Sequence, residues 1–155
     1  LNIISGTVTT ADCSVHANQC GGGIMIQTSG IAVTVTNSTL SGNSANSGGG
    51  IYNYRSTLTV NNSAFFGNSA DGFGGGGIYN DGLSGHATLS IIASTISSNN
   101  AGVSGGGIFN YADGGTATVW VSSSSFVRNV TGSAGSLGGG IFSSGKYDTR
   151  YPVIG

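Results

Sequence analysis

Gly48-Gly49-Gly50-Ile51-Tyr52-Asn53 is the stretch of sequence that decides the fold. It recurs at residues 75–80 and 105–110, and in weaker form at 21–25 and 138–142. The isoleucines of the five copies are 27, 27, 30 and 33 residues apart. Five copies in 155 residues define a repeat array, so the chain must be interpreted repeat by repeat.

A second motif alternates with the glycine stretch and carries the apolar residues. Its clearest copy, residues 58–68, reads apolar-x-apolar-x-x-small-x-apolar-x-x-Asn, and further copies span 33–43, 89–99 and 119–129. The alternation at Leu58 and Val60 predicts a strand. One extra residue before Ser63 predicts a bend into a second short strand. The glycine stretch then forms a third side, where a close neighbour leaves no room for a side chain. Each repeat is therefore predicted to be one coil of three short strands.

Stacking the repeats buries an inner face that no single repeat can bury alone. In the predicted register Leu58 lies over Val33, Val60 over Val35, and Phe65 over a leucine. Each strand pairs in parallel with the next coil, and the rest of the coil provides the long return path that parallel pairing needs. We expect an all-β fold, a right-handed parallel β-helix (β-solenoid) of about five coils of 25–34 residues. Residues 1–155 form one domain, with a loop insertion at about 12–20 in the first coil.

Asparagines recur at two fixed positions of the repeat. Stacked amides form hydrogen bonds along the axis, which satisfies polar side chains that face inward. We therefore interpret both sets as structural ladders rather than catalytic groups. The first ladder contains Asn43, Asn68, Asn99 and Asn129, and the second contains Asn53, Asn80 and Asn110.

Composition limits the classes of function. Only nine residues are charged and the net charge is about −1, so the basic patch typical of nucleic-acid binding is missing. The sequence contains no apolar run long enough to span a bilayer as a helix. No cluster has metal-ligand spacing, and no cofactor is predicted. Cys13 and Cys20 favour a local disulfide and an extracellular or cell-surface location, with two free thiols as the alternative.

An aromatic column follows the isoleucines of the glycine stretch. Because the isoleucines point inward, the next residue of each copy points outward. An exposed apolar stripe of this kind is typical of an interaction surface for a glycan or a protein. The alternative is that some of the rings turn inward at a bend. The candidate stripe consists of Met25, Tyr52, Tyr79, Phe109 and Phe142, and Asn37 and Asn61 begin candidate glycosylation sequons.

Two other classes of function are weaker alternatives. A carbohydrate-active β-helix enzyme would need clustered acids, and the turn after the glycine stretch carries most of the charges. Because these charges have different offsets from their isoleucines, we interpret them as solvated loop residues. They are Arg55, Asp81, Asp113, Lys146 and Asp148, and His16 and His86 lie in loops without partners. An ice-binding face is the second alternative, because Thr34-Val35-Thr36 and Thr57-Leu58-Thr59 form rows, but Trp120 interrupts the flat surface.

The two ends of the chain share a phase of the repeat. Leu1, followed by Ile3, is predicted to occupy the repeat position of Val33 and Leu58, and Val153, followed by Ile154, reaches that position again. A whole number of coils favours a building block that stacks head to tail, and such a heterologous contact propagates as a filament. The alternative is a segment cut from a longer repeat protein. The low charge favours lateral bundling of such fibres.

The repeats resemble those of the polymorphic outer membrane proteins of chlamydiae and related bacterial surface proteins. Those repeats pair Gly-Gly-Ala-(Ile/Leu/Val) with Phe-x-x-Asn. Gly49-Gly50-Ile51 is similar to the first motif with Gly in place of Ala, and residues 65–68 and 126–129 match the second. Residues 40–43 and 96–99 match it conservatively. The resemblance covers nearly the whole chain and implies a surface-exposed or secreted β-helical protein, often adhesive, without an active site.

Overall fold

The computed structural model describes residues 2–4, 20–132 and 134–145. These residues form eighteen strands and no helix. No candidate for a membrane-spanning helix occurs in this part of the chain. The strands in chain order are β1 (Asn2–Ile4), β2 (Ile24–Ile26), β3 (Ala32–Thr36), β4 (Thr39–Ser41), β5 (Ser44–Ala45), β6 (Ile51–Tyr54), β7 (Thr57–Asn61), β8 (Ala64–Phe66), β9 (Ser69–Ala70), β10 (Ile78–Asp81), β11 (His86–Ile92), β12 (Thr95–Ser97), β13 (Asn100–Ala101), β14 (Ile108–Ala112), β15 (Thr116–Ser122), β16 (Ser125–Val127), β17 (Val130–Thr131) and β18 (Ile141–Gly145).

The strands form four sheets that run along the axis of a β-solenoid. The isoleucine sheet contains β2, β6, β10, β14 and β18, and the threonine sheet contains β3, β7, β11 and β15. The phenylalanine sheet contains β1, β4, β8, β12 and β16, and the short sheet contains β5, β9, β13 and β17. Every pairing between these strands is parallel. The predicted all-β parallel solenoid is therefore confirmed, with four or five strands in each sheet. Its right-handed sense and its extent over 1–155 stay predictions.

The predicted register is also confirmed for the coils that follow the first strand. Leu58 pairs with Val33 and Val60 with Val35 in the threonine sheet, and Phe65 pairs with Leu40 in the phenylalanine sheet. The main core is a set of apolar columns in which side chains from successive coils lie on one another. Its fully enclosed members include Leu40, Ile51, Leu58, Val60, Phe65, Ile78, Leu89, Ile91, Ile96 and Ile108.

The expectation of three strands per coil is wrong, because the coils that the structure describes in full have a fourth. Two residues directly after the ladder asparagine form the short sheet, as in Ser69–Ala70 of β9. Ala70 is fully buried and pairs with Ala45 and Ala101 of the neighbouring coils. Two residues cannot display the alternation by which a strand is recognised in a sequence.

The extra residue before the inward serine is the bend that the sequence predicts. Asn37, Asn62, Ala93 and Ser123 occupy this position with φ between 46° and 49°. The serine that follows forms a third ladder, which the sequence analysis missed. The Ser63 hydroxyl donates to the Asn61 carbonyl at 2.8 Å and accepts the Ser38 backbone N–H at 3.1 Å. Ser94 repeats both contacts, so the ladder satisfies backbone groups at this corner of each coil.

The three glycines of each stretch leave no room for a side chain. Gly48 has φ +62°, a conformation that L side chains rarely adopt. A Cβ on Gly49 would lie 2.3 Å from the Ser69 carbonyl oxygen, so two backbones meet there. A Cβ on Gly50 would lie 2.5 Å from the Gly77 carbonyl oxygen of the next coil and 3.0 Å from the Phe65 ring. This triplet therefore sets the sharp corner and the close approach that allow each coil to close.

The first asparagine ladder runs through the core side of the turn between the phenylalanine and short sheets. The Asn68 Oδ1 accepts both the backbone N–H and the Nδ2 of Asn43, at 3.1 and 3.0 Å. The Asn68 Nδ2 donates to the Leu40 carbonyl at 3.0 Å and to the Asn99 Oδ1 at 2.9 Å. Asn99 makes the same contacts toward Phe65 and Asn129. The predicted ladder is confirmed and uses the whole hydrogen-bonding capacity of the Asn68 amide.

In the second ladder the Asn53 Nδ2 donates to the Asn80 Oδ1, and the Asn80 Nδ2 donates to the Asn110 Oδ1, each at 2.7 Å. The Asn110 Nδ2 donates in turn to the Ser143 hydroxyl at 3.0 Å. At its other end the Asn53 Oδ1 is buried without a hydrogen-bond partner. The reason is the sequence of the preceding coil, where Ile26 occupies the ladder position and has no amide to donate. The predicted ladder is confirmed, and Ile26 defines its limit.

Candidate binding site on the outer face of the isoleucine sheet

The outer face of the isoleucine sheet carries two adjacent columns of side chains. In the first column Met25, Tyr52, Tyr79, Phe109 and Phe142 pair in register, as the sequence predicts. In the second column, two residues further along each strand, Asp81 pairs with Tyr54 on one side and Tyr111 on the other. These two columns form a cluster separate from the main core.

The expectation that the aromatic stripe is exposed is wrong for its central members. Tyr52 is 3% exposed and Tyr79 is 6% exposed, whereas Met25, Phe109 and Phe142 are half-buried. The segment that leads into each glycine triplet lies across the outer face of the sheet and covers the rings. A Cβ on Gly74, for example, would lie 3.2 Å from the Phe109 ring. The rings therefore belong to a second, smaller core that opens to solvent at one side.

The rings form two walls that meet at an angle. Tyr52 and Tyr79 stack with centroids 5.0 Å apart and planes inclined by 21°. Phe109 and Tyr111 form the other wall, inclined by 16°. Tyr79 is tilted by 56° against Phe109 and by 57° against Tyr111. Together with Ser47 and the exposed ring of Phe73, these four side chains line a cleft of about 120 Å³, which we call the aromatic cleft.

Asp81 lies fully buried beside the aromatic cleft. The Tyr52 hydroxyl donates a short hydrogen bond to the Asp81 Oδ2, and the Leu83 backbone N–H donates to the Oδ1 at 2.8 Å. The interpretation of this residue as a solvated loop charge is therefore wrong. Its position at the end of β10 suggested a turn, but the turn folds back over the carboxylate and encloses it.

Burial and the carboxylate together change the acidity of the tyrosines. Desolvation raises the pKa of Tyr52 far above its ordinary value, and the charge of Asp81 and its hydrogen bond raise it further. Desolvation, and then the charge of Asp81, raise the pKa of Tyr79 in the same way. The pKa of Tyr111 is raised by desolvation first, then by Asp113 and by Asp81. Asp81 thus contributes to the raised pKa of three tyrosines that line the cleft.

The remaining charged candidates that the structure describes make local contacts. The Arg55 guanidinium lies 4.5 Å over the Tyr54 ring, and its Nε donates to the Leu83 carbonyl at 2.6 Å. Asp113 is exposed, 3.5 Å from the Tyr111 hydroxyl. No group of three potential metal ligands occurs among the described residues. His86 is exposed and its Nδ1 contacts the Thr116 hydroxyl at 2.6 Å, so it has a partner after all. Lys146, Asp148 and His16 lie outside the described residues.

Several other predicted sites include residues that lie outside the described ranges. Cys20 is buried, but Cys13 lies outside the described residues, so their disulfide stays a prediction. The same holds for stacking through Leu1, Val153 and Ile154, which also lie outside them. The expectation that the first strand occupies the Val33 position of the repeat is wrong, because Ile3 pairs with Leu40 and β1 therefore belongs to the phenylalanine sheet. Asn37 is exposed and Asn61 half-buried, and their glycosylation stays a prediction. Trp120 is 46% exposed in the threonine sheet, where it extends the row of Thr34, Thr59 and Ser90.

Comparison of the chain with models of protein families, with curated proteins and with solved structures gives no match.

Proposed function

We propose that the chain is a non-enzymatic structural and adhesive β-solenoid of an extracellular or cell-surface assembly, in which successive units stack along the solenoid axis. The chlamydial-type surface repeats that the sequence resembles support the adhesive, extracellular part of the proposal. The axial part is supported by the structure of the last described coil.

The observation that carries the proposal is the change of burial along one core column. Leu40, Phe65 and Ile96 are completely buried, whereas Phe126, which lies over Ile96 in the same column, is only half-buried. Among the described residues, strand β16 is paired on one side only. A further strand on this side of the phenylalanine sheet would bury Phe126.

The polar ladders point to the same kind of contact. Asn129 accepts from the Asn99 backbone and side chain and donates to the Ile96 carbonyl, and it is half-buried where the inner ladder asparagines are enclosed. The next coil would continue the ladder through its own amide. Since a head-to-tail contact of this kind does not close on itself, it generates a filament. With nine charged residues, such filaments would repel one another weakly and bundle side by side.

Sedimentation velocity and negative-stain electron microscopy over a range of protein concentrations test this proposal. We expect unbranched filaments whose length grows with concentration. Phe126→Asp should abolish them, because stacking would bury an unpaired charge. The matched control is Val127→Asp in the same coil, where the side chain is 46% exposed on the outer face and stacking leaves it in water. Monomers at every concentration, or equal loss of assembly in both variants while circular dichroism stays unchanged, would contradict the proposal.

A further inference from the structure

The aromatic cleft has the shape of a cage rather than of a platform. A sugar ring stacks on a flat, exposed aromatic surface and needs polar groups around it. The walls of this cleft meet at 56° to 57°, and five of its six lining residues are aromatic. Phe73, at 55% exposure, leaves one side open to solvent. Tyr79 contacts both Phe109 and Tyr111, with ring centroids 4.9 and 6.2 Å apart, so a bound group lies beside these rings rather than between them. The space that they leave next to Phe73 suits a compact apolar group.

The charges around the cleft favour a cation. Aromatic faces attract cations through the ring quadrupole, and quaternary ammonium groups are recognised in this way. The Asp81 carboxyl group lies beside the cleft and accepts a hydrogen bond from the Tyr52 hydroxyl of one wall. The same sheet face already holds one cation, since Arg55 lies over the Tyr54 ring. Tyr54 and Arg55 do not line the cleft.

The size of the cleft sets an upper limit on the group it accepts. A cavity of about 150 Å³ in a protein interior binds benzene. The aromatic cleft, at about 120 Å³, has room for a slightly smaller group. A trimethylammonium head is compact, apolar on its surface and positively charged, and it meets all three requirements.

We propose that the aromatic cleft binds a quaternary ammonium group, carried by a small molecule or by a lipid headgroup. This binding does not depend on axial stacking, because the cleft is formed by side chains of three consecutive coils within one chain.

The decisive probe is a pair of ligands that differ in charge alone. Choline and 3,3-dimethylbutan-1-ol have the same shape, but the second is neutral. Titration calorimetry and ligand-observed NMR should show choline binding about tenfold more tightly, as one cation–π site of moderate strength requires. Equal affinity for the two ligands would reduce the cleft to an apolar pocket and overturn the proposal. Failure of both to bind would overturn it as well.

Substitutions locate the site. Phe109→Leu removes part of one wall and should weaken choline binding at least fivefold, whereas Phe66→Leu, on the exposed face of the phenylalanine sheet, should leave it unchanged. Asp81→Asn keeps the size of the side chain and removes its charge, so choline should bind more weakly and the neutral alcohol should not. Tyr111→Leu provides a second wall variant if Phe109→Leu fails to fold. Choline binding unchanged in folded wall variants would contradict the assignment.

Vesicles distinguish the source of the ammonium group. Phosphatidylcholine carries a trimethylammonium group, whereas phosphatidylethanolamine carries a primary ammonium at the same net charge. Co-sedimentation with the first and not with the second identifies a lipid headgroup as a ligand. Choline binding without co-sedimentation identifies a small molecule, and co-sedimentation with both vesicles to the same extent would contradict recognition of the trimethylammonium group.

Discussion

Replacement of one ladder asparagine should destabilise the protein more than its size suggests. Asn68→Ala removes four hydrogen bonds that link three coils, to the Asn43 backbone and side chain, to the Leu40 carbonyl and to the Asn99 amide. All of these partners lie in the interior, where water cannot replace the lost amide. At about 1 kcal/mol for each net hydrogen bond, the variant should lose about 4 kcal/mol of unfolding free energy.

The measurement is urea unfolding followed by circular dichroism, with Asn62→Ala as the matched control. Asn62 is exposed and its Nδ2 donates to the Asn37 Oδ1 at 2.6 Å, and Ala93 occupies the same bend with nearly the same φ. The control should therefore lose less than about 1 kcal/mol. If Asn68→Ala unfolds at the same urea concentration as Asn62→Ala, the ladder does not stabilise the fold and the reasoning is refuted.

Three further predictions follow from the same structure. Phe65→Ala should lower the free energy of unfolding by about 3–5 kcal/mol, because removal of a fully enclosed ring leaves a cavity. Its neighbour Phe66, 48% exposed, should tolerate the same change. Equal melting temperatures for the two variants would show that the register is wrong. Gly49→Ala should lower the free energy of unfolding by about 3 kcal/mol, since its Cβ would meet two backbone carbonyls. Gly132→Ala is the control, because the nearest atom to its Cβ would be 3.8 Å away. A small loss of unfolding free energy in both variants would contradict the close approach of the backbones at Gly49. Since burial raises the pKa of Tyr52 and Tyr79, the contribution of these two phenols to stability should be constant below about pH 10 and fall above it, where the unfolded phenols ionise. Spectrophotometric titration should show these two phenols ionising only on unfolding. Ionisation of all six tyrosines in the folded protein near pH 10 would contradict their burial.

Strict repetition made much of the fold predictable. The pairing of Leu58 with Val33, the two asparagine ladders and the bend before Ser63 all follow from the same offset in successive repeats. In a solenoid, residues at equal offsets lie on one another, so a repeat in sequence becomes a contact in space. The end of the second ladder was visible for the same reason, since Ile26 stands where the other copies have asparagine.

What the sequence did not predict depends on contacts between different sides of a coil. Ser63 satisfied the pattern as a small residue, and nothing in its offset indicated that its hydroxyl would serve backbone groups of two coils. The alternation placed Tyr52 and Tyr79 outside the main core, but it could not show that the glycine-rich approach of each coil lies across them. Asp81 looked like one more charge in a turn, because its partners are the Tyr52 hydroxyl of another coil and the Leu83 N–H of its own turn.

Electron cryomicroscopy with helical reconstruction tests the proposed axial assembly most directly. About five coils at about 4.8 Å each give a rise of roughly 24 Å for each subunit. The account predicts filaments with this rise, in which Phe126 of one subunit is covered by the first coil of the next and the asparagine ladder continues across the junction. Monodisperse particles with free ends, or filaments whose rise is far from this value, would contradict it.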